Sequence, residues 1–494
     1  MTTTQTWAER ASQLSIDGRA FIGGQRVDSA DGNTMTLTSP ATLQSLTELS
    51  SGTDRDVDTA VAKARQAFNA GHWSRIGAAD RGATLITLAD LILANLDELA
   101  LLESLDSGKP IGETRTVDIP GAAATFRWYG EIADKHFDEI PATPPGSTAL
   151  VRRVPLGVIG AIVPWNYPLE IAAWKLAPAL VTGNSVVIKP SNDTPLTALR
   201  LADLAHEAGI PAGVLNVVPG RGSTVGSRIA RHPDIDMLAF TGSTPVAKQL
   251  MVDAGETNLK RVALEAGGKS SNIIFADADL KKAAEKAAFG AFYNNGQVCS
   301  ANAKILIQRS AHDEFVRLLA EASKAFEPTD PFSGNTGNGS LVNQSHTDDV
   351  AAAIKKAATD GTLVSGGERL NITGSDAYLT PAVVTDLPAD HELHRQEIFG
   401  PVVGVLAFDT EDEAIHIAND TEYGLAASLW TNDSSRTHRV ADQLVAGTVS
   451  VNTVDALGLT TPFGGFRQSG FGRDLSRHAI NNYTDLKTTW LQHG

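Results

Sequence analysis

The stretch GVIGAIVPWNYPLEIAAWKLAPALV, residues 157–181, decides the fold of this 494-residue chain. Its apolar run 157–163 predicts a buried strand, a proline-flanked turn follows, and residues 168–181 have helical periodicity. The same order of apolar run, turn and helix continues to residue 265. It gives candidate strands at 185–188, 214–218, 237–240 and 262–264 and candidate helices at 194–208, 223–231 and 245–254. This alternation is typical of βαβ units and predicts a parallel, doubly wound sheet.

Regular patterns flank this region on both sides. Residues 57–68 carry apolar side chains on one helical face, and residues 80–107 predict one long helix that a glycine and a proline end. Between 272 and 452 a second alternating block predicts a second α/β domain. Its apolar runs lie at 272–275, 303–308, 402–408 and 448–452. The stretch 333–340, rich in Gly, Ser and Asn, predicts a surface loop.

Composition narrows the class of protein. Lys and Arg number 41 against 57 Asp and Glu, a formal charge of -16, which argues against nucleic acid or an anionic membrane as a main partner. No apolar run approaches ~20 residues, and the N-terminus lacks the basic and apolar regions of a signal peptide. With a single cysteine, these features predict a cytoplasmic protein. The 12 His show no ligand spacing with that cysteine, so we expect no metal site.

Cys299 is the only thiol, so it cannot form an internal disulfide. It is therefore either inert packing or a reactive nucleophile. Gly296 and Gln297 precede it and Ser300 follows, which suits a backbone that passes close to a substrate. Free cysteines are often simply buried, and these flanking residues alone leave both interpretations open.

Four further polar residues lie next to predicted strands, three of them where a strand ends. Asn166 is placed to donate its amide to an oxyanion, although an Asn in a proline-flanked turn is the commoner case. Lys189 suggests an anion or hydroxyl partner such as ribose. Glu265 could act as a general base, unless it is a loop carboxylate paired with Lys269. Glu397 directly precedes an apolar run.

Two glycine-containing turns, 218–226 and 240–244, are candidates for phosphate binding at helix N-termini. Each is weak alone, because such turns are common in proteins that bind no nucleotide.

Taken together and in this order, these segments resemble the aldehyde dehydrogenase superfamily over essentially the whole chain. The segments that carry the resemblance are Pro-Trp-Asn-Tyr-Pro (164–168), Lys-Pro-Ser (189–191), Phe-Thr-Gly-Ser (240–243), Glu-Ala-Gly-Gly-Lys (265–269), Gly-Gln-Val-Cys (296–299), Glu-Ile-Phe-Gly-Pro (397–401), Tyr-Gly-Leu-Ala-Ala-Ser (423–428) and Pro-Phe-Gly-Gly-Phe-Arg-Gln-Ser-Gly (462–470). The implied fold is α/β, with a Rossmann-like cofactor domain, an α/β catalytic domain and a small β oligomerisation flap.

The resemblance implies a chemical role for five residues. Cys299 attacks the aldehyde, and its main-chain N–H and the Asn166 side chain hold the oxyanion. The thiohemiacetal passes hydride to a nicotinamide ring, and Glu265 activates the water that hydrolyses the resulting thioester. Lys175 pairs with Asp474 in a proton path, with Asp in place of the usual Glu.

The same resemblance implies NAD or NADP as cofactor. Lys189 and Glu397 hold the two riboses and Ser243 meets the pyrophosphate. The family pattern Lys-Pro-Ser-Glu here ends in Asn192, which removes a charge that repels a 2′-phosphate, so we expect NADP to be accepted, with Lys189 and Arg221 as its partners. The full set of implied cofactor residues is Ile162, Trp165, Lys189, Ser191, Asn192, Gly222, Gly226, Phe240, Gly242, Ser243, Glu397 and Phe399.

Three segments are similar to the branch that oxidises γ-glutamyl-γ-aminobutyraldehyde and related ω-amino aldehydes of polyamine catabolism: 118–123, the Glu-Ala-Gly-Gly run and 472–479. Aromatic residues, Trp165 among them, match positions that line the substrate tunnel. Two carboxylates are candidates to attract an ammonium group, one of them on the same helix as Asn166 and one turn away. The implied substrate residues are Tyr167, Glu170, Trp174, Asp455 and Phe463. The alternative substrates are betaine aldehyde or aliphatic aldehydes in general.

The implied domains are an NAD(P)-binding domain of residues 1–132 and 154–264 and a catalytic domain of residues 265–467. An oligomerisation segment combines 133–153 with 478–494, and its edge strand 484–491 would add to the sheet of a partner in a homotetramer or homodimer. A cysteine hydrolase and a non-catalytic structural protein are the alternatives from other classes.

Overall fold

The structure is a computed structural model that describes residues 5–493. Residues 1–4 and Gly494, which belong to the predicted segments 1–132 and 478–494, lie outside the described residues. The α-helices of the described part are α1 Trp7–Ala11, α2 Asp54–Ala70, α3 Ala78–Ala94, α4 Leu96–Ser107, α5 Ile111–Glu113, α6 Ile119–Glu131, α7 Pro168–Val181, α8 Leu196–Glu207, α9 Ser227–Arg231, α10 Thr244–Glu256, α11 Leu280–Phe292, α12 His312–Ser323, α13 Gln344–Asp360, α14 Glu392–Arg395, α15 Glu411–Asn419 and α16 Ser434–Ala441.

The strands alternate with these helices through much of the chain. They are β1 Ala20–Ile22, β2 Gln25–Val27, β3 Thr34–Thr38, β4 Ser45–Ser50, β5 Ser147–Pro155, β6 Val158–Ile162, β7 Ser185–Lys189, β8 Leu215–Val217, β9 Met237–Thr241, β10 Arg261–Glu265, β11 Ser271–Ile274, β12 Lys304–Gln308, β13 Thr362–Ser365, β14 Arg369–Ile372, β15 Ser375–Leu379, β16 Ala382–Thr385, β17 Val402–Phe408, β18 Ala426–Trp430, β19 Thr448–Val451, β20 Gly470–Phe471 and β21 Thr484–Gln492.

An eight-stranded sheet is built around β6, in the order β2-β1-β8-β7-β6-β9-β10-β20. Its five middle strands are parallel, which confirms the predicted doubly wound sheet. The chain leaves β6 towards β7 and β8 on one side and later fills β9 and β10 on the other. The carboxyl end of β6 is therefore the switch point of the sheet, where open α/β sheets bind ligands. The Pro-Trp-Asn-Tyr-Pro turn follows at this end.

A second sheet of seven strands has the order β13-β16-β17-β12-β11-β18-β19 and is parallel except for β13. The strand predicted at 484–491 is β21, which pairs antiparallel with β5 along its whole length, Thr484 opposite Pro155 and Gln492 opposite Ser147. Two short hairpins, β3-β4 and β14-β15, complete the sheets of the described residues.

Helix α7 lies at the centre of the molecule. Almost all of its residues are buried, because it packs against α3, α6 and α8 as well as against β6 and β7. A helix that is apolar on every side is typical of such a fully enclosed position. The turn before α7 and the side chains along it are therefore held by packing on all sides.

Three predictions about local structure differ from what the structure shows. The single helix expected at 80–107 is broken at Asn95, whose backbone (φ -105°, ψ 24°) is not helical and whose side chain donates to the Leu91 carbonyl. Asn competes for backbone hydrogen bonds and so favours helix ends. The stretch 333–340 is exposed only at its start, since Asn338 and Ser340 are buried. The predicted helix 223–231 is a π-helical turn, Gly222–Gly226, that runs into α9.

None of the helices in the part of the chain that the structure describes is both long enough and apolar enough to span a lipid bilayer.

Candidate active site

A cavity of about 430 Å³ lies at the carboxyl ends of strands from the eight-stranded sheet and brings together three of the predicted catalytic residues, Asn166, Glu265 and Cys299. They come from three separate segments that are far apart in the sequence. The other residues that line the cavity are Pro164, Trp165, Thr241, Gly242, Ser243, Ala266, Gly267, His346, Asp349, Ala353, Glu397, Ile398 and Phe399. Trp165, Gly242, Ser243, Glu397 and Phe399 had been predicted to contact the cofactor.

The loop that carries Cys299 turns sharply before the thiol. Asn294, Asn295 and Gly296 all have left-handed backbone conformations, with φ of 49°, 57° and 67°. Asn and Gly are the residues that adopt this region at least cost. A Cβ on Gly296 would also lie 2.4 Å from the carbonyl oxygen of Gly400, so no larger residue fits.

The same loop is tied to the segment 339–342. The Asn295 side chain donates to the carbonyls of Gly339 and Ser340 at 3.1 and 3.2 Å, and the Gln297 side chain accepts from the Val342 N–H at 3.1 Å. These bonds explain why the end of the glycine-rich stretch is buried. This end of the stretch packs beneath the cysteine loop and holds it in place, so it is not a solvent-exposed loop tip.

Asn166 is held against the cysteine loop. Its side-chain Nδ2 donates to the Gln297 carbonyl at 2.9 Å, two residues before the thiol, and the residue is 4% exposed. Its own carbonyl accepts from Asn294 Nδ2 at 3.1 Å. The second N–H of an amide nitrogen remains for a ligand. Asn166 precedes α7, which begins at Pro168, so the expectation that it shares a helix with Glu170 is wrong.

Glu265 ends β10 as a buried carboxylate whose Oε2 has no hydrogen-bond partner. Lys269 forms no ion pair with it, and the Lys269 amine is itself buried without a partner, which removes the paired-loop interpretation. Burial raises the pKa of Glu265 well above its usual range, and the charge of Asp474 raises it further while Lys175 opposes this. Such a carboxylate is a stronger base than a solvated one.

Lys175 and Asp474 form the predicted pair. Both side chains are buried, and Lys175 Nζ donates to Asp474 Oδ2. Both act on the pKa of Glu265, so the pair belongs to the electrostatic surroundings of the base although neither residue lines the cavity.

The two glycines after Glu265 allow the segments of the site to approach each other. A Cβ on Gly267 would lie 2.1 Å from Glu397 Oε2, and one on Gly268 would lie 2.3 Å from the Cys299 carbonyl oxygen. The Gly268 N–H donates to Glu397 Oε1 at 2.9 Å. Burial raises the pKa of Glu397 to about 7.

The thiol of Cys299 is partly exposed at the cavity wall. Burial of its surroundings raises its pKa above the usual range, and the charges of Glu397, Asp455 and Glu265 add to that shift. The resting sulfur is therefore a protonated thiol. Its activation needs either a base that takes the proton or a positive charge brought close to the sulfur.

Lys189, at the end of β7, forms a second group with two predicted residues, Ile162 and Gly226. A Cβ on Gly226 would lie 3.7 Å from the Lys189 Cδ and 3.8 Å from the Ile162 Cδ1. The Lys189 ammonium is buried, donates only to the Pro190 carbonyl, and has a pKa lowered by burial to about 8. A buried ammonium with one partner fits the hydroxyl groups of a ribose.

Nearby polar groups also fit a dinucleotide. Asn192 Oδ1 is buried without a partner, next to the partly exposed Ser191. Ser243 caps α10 without a side-chain hydrogen bond, so the N-terminal N–H groups of this helix are free to meet a pyrophosphate. Phe240 packs its ring against Gly242 before that helix. Gly222 begins the π-helical turn in open surroundings.

His346 lines the cavity and was not predicted. Its Nε2 donates to the Phe399 carbonyl at 2.8 Å, and its ring packs against Trp165 with centroids 5.4 Å apart. Trp165 packs edge-on against Phe399 at 5.2 Å. Burial lowers the pKa of His346, so it is neutral. No motif surrounds it in the sequence, because its place depends on how α13 packs. Trp165 thus lies on the side of the predicted cofactor residues.

The five predicted substrate residues do not line this cavity. Trp174 and Phe463 pack edge-on at 5.4 Å and are 8% and 3% exposed. Asp455 accepts a hydrogen bond of 2.6 Å from Ser300 Oγ, which places its carboxylate beside the residue that follows the nucleophile. Tyr167 follows Asn166 directly.

Carboxylates gather around Tyr293, on the side of the thiol where Asp455 lies. Burial raises the pKa of the Tyr293 hydroxyl, and the charges of Glu113, Asp118, Glu170 and Asp455 raise it further. Burial raises the pKa of Glu113 to about 7 and that of Glu170 to about 8. We call Glu113, Asp118, Glu170 and Asp455 the carboxylate cluster. Within it Lys109 forms an ion pair with Asp118, and the charge of Asp455 also acts on the pKa of Cys299.

Comparisons with known proteins agree with this geometry. The model of the aldehyde dehydrogenase family matches residues 27–489. The NADP/NAD-dependent aldehyde dehydrogenase PuuC of Escherichia coli is 47% identical over 98% of both chains. The structure of indole-3-acetaldehyde dehydrogenase AldA from Pseudomonas syringae, with NAD⁺ bound, aligns with a TM-score of 0.97 at 50% identity and covers 99% of this chain and 100% of that one. γ-Glutamyl-γ-aminobutyraldehyde dehydrogenase from Burkholderia cenocepacia also aligns with a TM-score of 0.97, at 46% identity and the same coverage.

Replacing Gly296 with Ala should distort the cysteine loop. The left-handed backbone and the contact with the Gly400 carbonyl predict a loss of about 2 kcal/mol or more in the free energy of unfolding. Thermal unfolding and aldehyde oxidation measure the effect. Gly112→Ala is the control, because nothing lies within 4 Å of its Cβ, and it should leave both unchanged. Equal behaviour of the two variants would show that the turn tolerates a side chain.

Alkylation of the single thiol should report its raised pKa. We expect the rate of iodoacetamide labelling, followed by whole-protein mass, to keep rising above the pH at which the same chain in urea has levelled off. Complete labelling at Cys299 should abolish dehydrogenase activity. A folded-state profile that levels off at or below that of the unfolded chain contradicts the assignment of a protonated resting thiol.

Proposed function

Because the chain belongs to the aldehyde dehydrogenase family, we propose that it oxidises ω-amino aldehydes to carboxylic acids with NAD or NADP. The observation that carries the proposal is the meeting of Asn166, Glu265 and Cys299 at one cavity whose other wall carries Gly242, Ser243 and Glu397. A thiol, an amide donor and a buried base are the three groups that thioester chemistry on an aldehyde needs.

The ionised carboxylate of Glu265 takes the proton of Cys299 Sγ, which adds to the carbonyl carbon of the aldehyde. Glu265 releases that proton through the Lys175–Asp474 pair. The new S–C bond makes a thiohemiacetal, whose oxygen receives the free N–H of Asn166 Nδ2. NAD(P), when bound, supplies the acceptor for the hydride that leaves the carbon and turns the thiohemiacetal into a thioester.

Glu265 then takes a proton from water as the water attacks the thioester carbonyl. The S–C bond breaks, the carboxylic acid leaves, and the sulfur of Cys299 takes the proton that Glu265 removed from the water. The raised pKa of Glu265 suits a base of this kind, and the Lys175–Asp474 pair provides a route for the proton away from it. Because Glu265 activates water, the thioester is hydrolysed and its acyl group is not transferred to another acceptor.

The residues present fit NAD(P). The single-partner ammonium of Lys189 and the buried carboxylate of Glu397 suit the two riboses, and the open N-terminus of α10 at Ser243 suits the pyrophosphate. Asn192 adds no negative charge beside Lys189, which favours acceptance of a 2′-phosphate. This agrees with the dual cofactor use stated for the Escherichia coli relative.

The choice of an ω-amino aldehyde rests on the carboxylate cluster. An ammonium group is stabilised by buried carboxylates, whereas a neutral aldehyde gains nothing from them. Of the predicted aromatic residues, Tyr167 is partly exposed and suits the methylene chain, whereas Trp174 and Phe463 are buried against each other. The Burkholderia cenocepacia neighbour, which is named for such a substrate, supports the same choice.

We also propose that the protein is a homo-oligomer, dimer or tetramer. Strand β21 pairs with β5 on one edge only, and its Leu486 and Trp490 are exposed, as are Phe137 and Ile140 in the segment before β5. Apolar side chains on an open edge favour association with a second copy.

Neutralising the carboxylate cluster tests the substrate assignment. At pH 9, where Glu170 with its pKa of about 8 is ionised, Glu170→Gln and Asp455→Asn should each raise the KM for γ-aminobutyraldehyde about tenfold, because a charge is lost near its ammonium. The KM for hexanal should stay within about twofold, and an amide at position 455 can still accept from Ser300. Equal changes for both aldehydes, or wild-type preference for indole-3-acetaldehyde or betaine aldehyde in the same panel, would contradict the proposal.

The preference should also depend on pH. Glu170 has a pKa of about 8, so it ionises as the pH rises through 8, and the KM for the cationic aldehyde should fall between pH 7 and 9. We therefore compare the KM for γ-aminobutyraldehyde with the KM for hexanal at each pH. In their ratio, any pH dependence that both substrates share cancels. In Glu170→Gln the ratio should vary less with pH.

Cofactor choice should respond to position 192. Asn192→Glu restores a carboxylate beside Lys189 and should lower kcat/KM for NADP about tenfold or more, while that for NAD changes little. Asn192→Gln, which adds length without charge, is the control. A wild-type preference for NAD over NADP of about a hundredfold would contradict the assignment of dual use.

A further inference from the structure

Lys109 is a buried lysine beside the oxyanion loop that the motifs did not single out. It is 2% exposed and lies in the turn after α4. Its Nζ is 2.9 Å from Asp118 Oδ1, 3.3 Å from the Asn166 carbonyl oxygen and 3.8 Å from the centre of the Tyr167 ring. One ammonium thus holds a carboxylate, a main-chain carbonyl and an aromatic face at once.

The main chain around Lys109 is itself fixed. Its N–H donates to Ser107 Oγ at 3.2 Å, and the Gly108 carbonyl accepts from the Ser340 N–H at 3.1 Å. Ser340 also receives the Asn295 side chain from the cysteine loop. The turn that carries Lys109 and the loop that carries the nucleophile therefore share one support.

We propose that Lys109 is a positioning residue that fixes the orientation of Asn166, an inference that rests on the proposed function. The Asn166 carbonyl has two donors, Lys109 Nζ and Asn294 Nδ2. Both act on the peptide that joins Asn166 to Tyr167. Loss of the lysine leaves that peptide free to rotate about the remaining bond, and the side-chain amide of Asn166 moves with it.

We expect the loss of Lys109 to reduce the rate by more than the loss of a single hydrogen bond would. A misplacement of about 1 Å in a reacting group can cost about a hundredfold in rate, and one oxyanion donor contributes about a hundredfold or more. The turnover of Lys109→Met should therefore fall about 10- to 100-fold without a matching change in the KM for NAD.

A double-mutant cycle with Asn166→Ala isolates this route. Hexanal is the substrate, since a neutral aldehyde does not respond to the changed charge of the cluster. Lys109→Met should lower kcat about 10- to 100-fold in the wild-type background and less than about twofold in the Asn166→Ala background. An equal fold-change in both backgrounds overturns the positioning role.

Lys304→Met is the matched control for burial. Lys304 is also buried and its Nζ also donates to a main-chain carbonyl, that of Ile417 at 2.9 Å, but this carbonyl lies outside the Asn166 turn. The kcat of Lys304→Met should stay within about twofold of the wild-type value. A matching fall in kcat would show that any buried lysine has this effect and would overturn the proposal.

Lys109→Met leaves Asp118 buried without its partner, which endangers folding. The double variant Lys109→Met/Asp118→Asn removes both charges. In a second cycle this double variant is compared with Asp118→Asn alone, in the presence and in the absence of Asn166→Ala. The same coupling to Asn166 is expected, and its absence overturns the role.

The same variants distinguish a failure of this inference from a failure of the proposed function. If Asn166→Ala alone keeps the wild-type rate with hexanal, the oxyanion assignment and the mechanism built on it fail. If Asn166→Ala is slow but Lys109→Met acts independently of it, only the role of Lys109 fails.

Discussion

The hydrogen bond from Asn166 Nδ2 to the Gln297 carbonyl joins the two halves of the site. Asn166 belongs to the turn at the switch point of the eight-stranded sheet, and Gln297 belongs to the loop that leads to the second sheet. This 2.9 Å contact fixes the side-chain amide of Asn166 against the loop that carries the thiol. The left-handed turn, the glycines at 267 and 268 and the buried segment 339–342 all serve to keep it in place.

Around that contact burial disfavours the charged form of several ionisable groups. Burial raises the pKa of Cys299, Glu265 and Glu397 and lowers that of Lys189. Each of these groups gains by meeting a polar or charged ligand, because the ligand replaces the water that folding removed. The free energy needed to desolvate these groups is therefore supplied by folding, and a ligand that pairs with them binds without that cost.

The sequence predicted what depends on local pattern and failed where distant packing decides. The apolar run at 402–408 and the helix at 168–181 appear with those bounds, since continuous hydrophobicity and flanking prolines define them. The motifs singled out Asn166, Glu265 and Cys299, which the structure brings to one cavity. No local pattern distinguished His346, because its position depends on the packing of α13. Lys109 was also missed, because it lies between the glycine and the proline that were predicted to end a helix. Burial of Ser340 depends on bonds to a loop some forty residues earlier.

The two glycines that follow Glu265 have a consequence for how such a protein can diversify. On that wall a single methyl group would meet the Glu397 carboxylate or the Cys299 carbonyl, so this part of the pocket admits no variation in volume. A change of pocket volume in such a protein must therefore come from side chains elsewhere in the cavity lining, while the wall between the carboxylate and the thiol keeps its shape.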